Sequence, residues 1–405
     1  MILRDFSFIH AADTHLGYEQ YNLSERRDDF DNAFSELVER ALELKPSFII
    51  IAGDLFHHAR PSNITLERAI RNFRRLKDAN IPVLVVDGSH DHAPNIVTGT
   101  ILTPLDSAGL IYYLPRHEDA CWENDCCYVY GIPNFRTRER FEEKISSFYG
   151  LKRPAPRKNK FNIFVFHMTL DAPEINSIFP RIAAETGLKL IPSGFNYYAG
   201  GHIHAPIHFR LRDSIVAYSG STENVSYEDA AFTKGFYYVE IDRDIEAHIN
   251  YIKFERTRKF KVLEGDYSGL QPNDIVETVV KTIREADEDG AVIVPVLRGI
   301  LPAGVSKREI NLAKIRNAAE KALIVHPVML LRETEFSEEI SRDIFDTDMK
   351  DLKTKSYEYF LQFFTQRNYG REEAERRASA ALDLIQYLVK DDEVKVRKIL
   401  EELFR

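Results

Sequence analysis

Five short groups of histidine and aspartate carry most of the chemical content of this sequence: Asp13-Thr14-His15, Gly53-Asp54 with His57, Gly88-Ser89-His90-Asp91, His167, and Gly201-His202-Ile203-His204. Each follows a short run of β-branched or aromatic residues, the pattern of a strand. Ligands collect outside the carboxyl ends of strands in α/β sheets, so five strand ends can deliver these side chains to one point. Residues i and i+2 of extended backbone point the same way, which predicts that Asp13 with His15, and His202 with His204, clasp a site as pairs. Gly53, Gly88 and Gly201 allow tight turns and close backbone approach. Taken singly, an Asp after a strand is a cap or turn residue and a lone His a satisfied imidazole. Five such motifs in series read instead as one joint cluster.

Imidazole and carboxylate donors without thiolate favour Mn²⁺, Fe²⁺, Zn²⁺ or a similar divalent ion over Ca²⁺. The donors are too many for one ion. Two ions ~3.5–4 Å apart, bridged by a carboxylate, would bind a phosphate ester, lower the pKa of a water and stabilise an in-line displacement. With no Ser-His-Asp set in view, the expected chemistry is phosphoester hydrolysis without a covalent intermediate.

These residues need a scaffold, and the chain has ample length for one. Its 405 residues predict two or three domains, and 44% hydrophobic with 29% charged residues excludes collagen-like, low-complexity and largely disordered classes. The longest apolar runs, such as Phe48–Ala52, are strand-sized and far short of a membrane span. The first residues lack the pattern of a secretory signal, so a cytoplasmic protein is expected. Cys121, Cys126 and Cys127 form no disulfide framework and no zinc spacing. A net charge of −9 argues against a protein that coats nucleic acid, leaving room only for a local basic surface.

Strands are predicted at Phe6–Ala11, Phe48–Ala52, Pro82–Val86, Cys127–Gly131, Phe161–Phe166, Tyr197–Gly200, Ile215–Tyr218 and Phe236–Ile241. Helices are predicted at Glu25–Leu44, Thr65–Asp78, Thr100–Ala108 and Thr137–Phe148. The early alternation argues for an α/β domain over residues 1–254. A second α/β unit, 255–335, reads as strand Phe260–Leu263, helix Asp274–Ala286, strand Ala291–Leu297, helix Lys307–Lys321 and strand Ile324–Leu331. Residues 336–405 are helical, with Tyr357, Phe360, Leu361 and Phe364 on one aromatic face and Ala374, Ala378, Ala381, Leu382, Ile385 and Leu388 along a second helix. So few helices bury so many apolar side chains only against something else.

The five motifs resemble those of the calcineurin-like metallophosphoesterases. The fuller wording of His15-Leu16-Gly17-Tyr18-Glu19, Ala52-Gly53-Asp54-Leu55-Phe56-His57 and Arg60-Pro61-Ser62 is similar to the DNA double-strand-break repair nucleases of the meiotic-recombination-eleven or SbcD type, in a short archaeal style. The resemblance is dense over residues 6–221. It implies a four-layer α/β sandwich of two mixed sheets flanked by helices, a small DNA-binding α/β cap and a helical tail. It further implies that Asp13, His15, Asp54 and His204 hold a first Mn²⁺ (or Mg²⁺ or another divalent ion), and that Asp54, Ser89, His167 and His202 surround a second, with Asp54 as the bridge. His90 would protonate the leaving oxygen or stabilise the phosphorane, Asp91 would orient the His90 imidazole from behind, and His57 would place the DNA strand for exonucleolytic cutting. The family has Asn at the position of Ser89, and a hydroxyl reaches one bond less far than an amide oxygen, so the second ion should be more weakly held here.

The implied activity is Mn²⁺-dependent 3′-to-5′ exonuclease on duplex ends and endonuclease on single strands, in a prokaryotic, nucleoid-associated repair protein. DNA contacts are expected from Arg60, from Arg136, Arg138 and Arg140, and from Lys152, Arg153, Arg157, Lys158 and Lys160. The resemblance implies a homodimer through helices carrying Leu66, Ile70 and Phe73, then Ile101, Leu102 and Leu105. It also implies that the tail docks on the coiled-coil base of an SMC-like zinc-hook ATPase of the Rad-fifty or SbcC type. Two rival readings are a phosphatase acting on phosphoproteins or nucleotides, and a DNA-end tether whose nuclease is weakened by Ser89.

Overall fold

The computed structural model describes residues 5–92, 99–135, 141–180, 184–333, 349–367 and 369–389, together with 395 and 399. The chain forms two compact units, residues 1–259 and 260–405.

The first unit contains, in chain order, β1 (Phe6–Ala11), α1 (Ser24–Leu44), β2 (Phe48–Ala52), α2 (Asn63–Asp78), β3 (Val83–Val86), α3 (Leu102–Ser107), β4 (Tyr112–Tyr113), β5 (Cys121–Glu123), β6 (Cys127–Gly131), α4 (Phe141–Lys152), β7 (Phe161–His167), β8 (Leu170–Asp171), α5 (Pro173–Ile178), β9 (Thr186–Gly187), β10 (Tyr197–Gly201), β11 (Pro206–Leu211), β12 (Ser214–Ser219), β13 (Gly235–Ile241) and β14 (Ala247–Lys253). Two six-stranded mixed sheets result, β14-β13-β1-β2-β3-β4 and β11-β12-β10-β7-β6-β5. Strands β1 to β4 run parallel, as do β6, β7, β10 and β12. β13, β14, β11 and β5 add antiparallel borders.

Alternation along each strand builds the layers. Phe8, Ile50, Ala52, Leu84 and Val86 of the first sheet meet Val129, Ile163, Val165, Tyr197 and Ala199 of the second. The intervening residues Ile9, Ile49, Ile51, Val83 and Val85 face Phe34, Leu37, Phe73 and Leu102 of the outer helices. On the far side Tyr130, Phe164, Phe166 and Tyr218 pack with Ile145 of α4 and Ile175 of α5. Helix, sheet, sheet and helix make four layers, and β2 and β7, covered on both faces, are buried throughout.

Of the residues expected on a dimer face, Phe73, Leu102 and Leu105 are core residues. Leu66, Ile70 and Ile101 are half-buried against that same core. Helix α2 starts two residues earlier than expected because the Ser62 hydroxyl accepts the Thr65 N–H as an N-cap.

The second unit contains β15 (Phe260–Asp266), α6 (Pro272–Ala286), β16 (Val292–Ile300), α7 (Leu312–Arg316), β17 (Ile324–Val325), β18 (Val328–Arg332), α8 (Met349–Gln366) and α9 (Arg371–Val389). Its strands are parallel, and Ile275, Val279 and Ile283 of α6 cover Ile293 and Leu297. The helix expected over Lys307–Lys321 is instead a 3₁₀ turn at Lys307–Glu309 followed by α7. Ser306 caps the first with a reciprocal Glu309 contact and Asn311 caps the second, so two local starts replace one continuous helix. The expected strand Ile324–Leu331 is split at His326-Pro327, where proline has no N–H to give a ladder. In the helical segment Phe360 and Phe364 are half-buried, Ala374 and Ala378 are fully buried, and Phe364 packs on Tyr369. The side chains of Ile385 and Leu388, like Arg136, Arg138, Arg140 and the segment 390–394, lie outside the described residues. Among those described, no helix is long and apolar enough to cross a membrane.

Candidate metal centre

The strand ends that carry the motifs belong to both sheets. Asp13 follows β1, Asp54 follows β2 and Ser89-His90-Asp91 follows β3 in one sheet; His167 ends β7 and His202 follows β10 in the other. The carboxyl edges of the two sheets lie side by side, and the motif residues meet there. Donor atoms of Asp13, His15 and His204 lie within 4.8 Å of one another, as do those of Asp13, Asp54 and His167, and those of His15, His57 and His90.

The expected side-by-side clasp from extended backbone is not how the pairs form. Asp13, His15, Asp54 and His202 all have positive φ, 52°, 42°, 50° and 88°. Such left-handed geometry is costly for residues bearing a Cβ and concentrates at functional sites. It turns the backbone so that Asp13 N–H donates to Gly53 O and His15 N–H to Asp54 O, locking two motif loops together. Gly53 shows why glycine is required: at φ 90° a Cβ would lie 2.2 Å from His167 Nδ1. At Gly88 the corresponding Cβ would lie 2.1 Å from Asp54 Oδ1.

Two buried imidazole nitrogens, His15 Nε2 and His167 Nε2, have no hydrogen-bond partner among the described residues. They lie 3.8 and 3.3 Å from Asp54 Oδ2. His167 Nδ1–H is spent on Ala52 O at 2.9 Å, so Nε2 is the nitrogen that faces Asp54 and the one that would bind a cation on giving up its proton. Buried polar atoms are rarely left unpaired, and two of them converging on a carboxylate fit a divalent cation as the missing partner. The other Asp54 oxygen accepts the His90 N–H at 2.8 Å, and Asp13 accepts the His202 N–H at 3.0 and 3.1 Å. His204 donates Nδ1–H to Asp229 at 3.0 Å.

Burial dominates the electrostatics. It pushes Asp13 up to about 6 against the pull of His167 and His204. It holds His15 well below the ordinary imidazole value and lowers His202 and His57 to about 3, so these rings are neutral and able to ligate. Burial also raises Asp54, but the imidazoles of His167, His15 and His90 outweigh it and leave this carboxylate below its usual range. His167 is the converse: burial lowers it, yet Asp54 and Asp13 carry it up to about 10. The carboxylate pair thus draws positive charge into its pocket.

His202 joins none of the three donor groups. Its Nε2 lies 3.7 Å from Glu185 Oε2, and its ring packs on His167. Ser89 is half-buried between Gly88 and the exposed His90. The His90 ring donates from Nδ1 to His57 O at 2.9 Å, not to Asp91. Asp91 has a different task from the one expected of it: its carboxylate accepts the N–H groups of Leu55, Phe56 and Gly88, tying the loop after β2 to the loop after β3. His57 is half-buried, stacked on Tyr18 with centroids 3.7 Å apart, and meets His15 Nδ1 to Nδ1 at 3.2 Å.

Arg60 is exposed on the same loop as His57. The basic stretch farther along is partly committed within the fold: Arg157 and Lys160 both pair with Glu123, and Lys152 donates to His117 O. Asp229, Glu185 and Asn134, which donates to His167 O at 3.1 Å, were not foreseen. Each is far in sequence from the group it touches and stands in no motif, so only the fold reveals it.

Residues 6–206 match the calcineurin-like phosphoesterase family, so the first unit of this chain carries a calcineurin-like metallophosphoesterase domain. Within that class its relatives are archaeal proteins named DNA double-strand break repair protein Mre11. The one from Archaeoglobus fulgidus is 33% identical over 236 residues, covering 55% of this chain and 52% of that protein. The Saccharolobus solfataricus protein is 32% identical, covering 58% and 61%, and the Aeropyrum pernix protein 28% identical, covering 78% and 76%. The matches span about half to two thirds of the length of the first relatives.

Proposed function

We propose that this chain is a metal-dependent DNA nuclease, a phosphodiester hydrolase that processes double-strand breaks. The observation that carries the reading is the pair of partnerless nitrogens, His15 Nε2 and His167 Nε2, buried against Asp54 where two sheets meet. The similarity to archaeal double-strand break repair proteins selects DNA over a phosphoprotein or nucleotide as substrate.

Asp13, His15, Asp54 and His204 would hold one Mn²⁺, and Asp54, Ser89, His167 and His202 a second, with Asp54 shared. When bound, such a pair supplies Lewis acidity toward the phosphoryl oxygens and lowers the pKa of water. The chain's own residues do the rest. His90, exposed and fixed through Nδ1 to the His57 carbonyl, has Nε2 left to give a proton to the leaving oxygen. His57, braced between Tyr18 and His90, positions the strand end, and Arg60 beside it offers a phosphate contact. Asp54 accepts the His90 N–H and so holds acid and metal donors in register.

The proposed activity is 3′-to-5′ exonuclease on duplex ends and endonuclease on single strands. The chain would act as a homodimer and as the nuclease partner of an SMC-like zinc-hook ATPase, with the aromatic face at Phe360 and Phe364 as the docking surface. The test is cleavage of end-labelled duplex and circular single-stranded DNA with MnCl₂, beside a chromogenic phosphomonoester. DNA cleavage that disappears in His90→Ala is expected; turnover of the monoester with intact DNA would overturn the reading.

A further inference from the structure

A fully buried arginine lies outside the donor set yet touches the loop that frames it. Arg26, in the first turns of α1, donates to Gln20 Oε1, Asp29, Glu223 and the carbonyl of Asn224. Arg258, in the segment leading out of the first unit, donates to both oxygens of Asp29 and through its N–H to Glu223. Two guanidinium groups thus face two buried carboxylates, that of Arg26 fully enclosed and that of Arg258 half-buried. Buried ion networks contribute little net stability compared with apolar packing, and their best-attested use is to specify one conformation.

The conformation specified is that of residues 221–229. Ser221 N–H donates to His204 O and Thr222 N–H to Asp13 O, so the loop starts on the backbones of two proposed metal ligands. Gln20 Nε2, held by Arg26 through its other end, donates to Val225 O at 2.8 Å. Val225 and Ser226 then donate their N–H groups to Asp229 Oδ2, the oxygen that receives His204 Nδ1–H. With Nδ1 occupied in this way, Nε2 is the nitrogen that His204, grouped with Asp13 and His15, has left for a cation.

We infer that Arg26 and Gln20 are positioning residues: acting through the 221–229 loop and Asp229, they set the aim of His204 and with it the affinity of the centre for a divalent cation. The inference rests on the proposed metal centre and assigns roles to residues that supply no ligand. Its physical basis is the orientation of a metal-bound imidazole by an outer carboxylate, whose loss typically weakens metal binding 10–100-fold.

The experiment uses the full chain, stripped of metal, with MnCl₂ as the calorimetric titrant and urea unfolding of the metal-free protein as the control. Asp229→Asn and Gln20→Met are expected to weaken Mn²⁺ binding on the order of tenfold. Arg26→Met should do at least as much, with partial recovery in Arg26→Lys. Gln20→Met leaves every charge of the network paired, so it tests the path even if Arg26→Met fails to fold. Mn²⁺ affinity unchanged in Gln20→Met would overturn the inference whatever Asp229→Asn does, as would a loss of metal-free stability with no change in affinity. A wild-type chain that takes up no Mn²⁺ would instead overturn the metal centre itself.

Discussion

Asp91 offers a direct test of how the two motif loops are held. It is fully buried; Oδ2 accepts Leu55 N–H at 3.1 Å and Gly88 N–H at 3.0 Å, and Oδ1 accepts Phe56 N–H at 2.9 Å. Asp91→Ala strands all three donors. A buried donor left unpaired costs about 1–3 kcal/mol, so the sum is about 3–9 kcal/mol. Burial, and then the Asp54 charge, push the Asp91 carboxyl up to about 7, so deleting it also relieves some strain. The lower half of that range, about 3–6 kcal/mol, is therefore expected, a large share of the about 5–15 kcal/mol that stabilises a typical domain. Asp91→Asn, with its amide oxygen in the Oδ2 position, keeps Leu55 and Gly88 satisfied and strands only Phe56, for about 1–3 kcal/mol. Trp122 is the one tryptophan of the chain and packs on Phe48 inside the first unit, so its fluorescence in a urea series reports that unit alone. Asp91→Ala within about 1 kcal/mol of wild type, or less destabilised than Asp91→Asn, would refute the reasoning.

Two further outcomes follow from the same geometry. Ser89→Asn supplies a longer neutral donor, so the Mn²⁺ concentration for half-maximal phosphodiesterase activity should fall; equal requirements in the two proteins would remove the proposed weakness of the second ion. His10, sealed between the sheets, donates to Gly200 O and accepts from Tyr197 OH, and burial lowers its pKa to about 3. The unfolded chain gains a proton below about 6.5 while the folded one does not, so stability should fall by up to about 1.4 kcal/mol per pH unit from 6.5 downward. His10→Gln should flatten that slope in Trp122-monitored urea unfolding, and an unchanged slope would remove His10 as the cause.

Much of the site was readable from residue types and order. A strand announces itself by its own β-branched and aromatic residues, and the residue after it needs no tertiary information to be located. Asp13, Asp54, His167 and His202 were therefore placed at strand ends correctly, and β1, β2 and β6 were bounded to the residue. The short or weakly patterned strands β4, β5, β8, β9, β11 and β14 were missed because their partners, not their composition, make them strands. The split of Lys307–Lys321 was missed because two caps compete with one apolar period.

The sequence by itself determined the candidate donors, their order along the chain and the strands that end at several of them, because those properties are covalent and local. Only the tertiary structure decided that two sheets bring their carboxyl edges together, that Asp91 binds backbone instead of His90, that Glu123 occupies Arg157 and Lys160, and that Asp229 stands behind His204. Those are pairings between residues from 25 positions apart, for His204 and Asp229, to 189, for Asp13 and His202, settled by burial and by the need to satisfy every enclosed polar group. The left-handed turns at Asp13, His15 and Asp54 belong to the same category, since isolated chains avoid them and only the packed fold holds them in place.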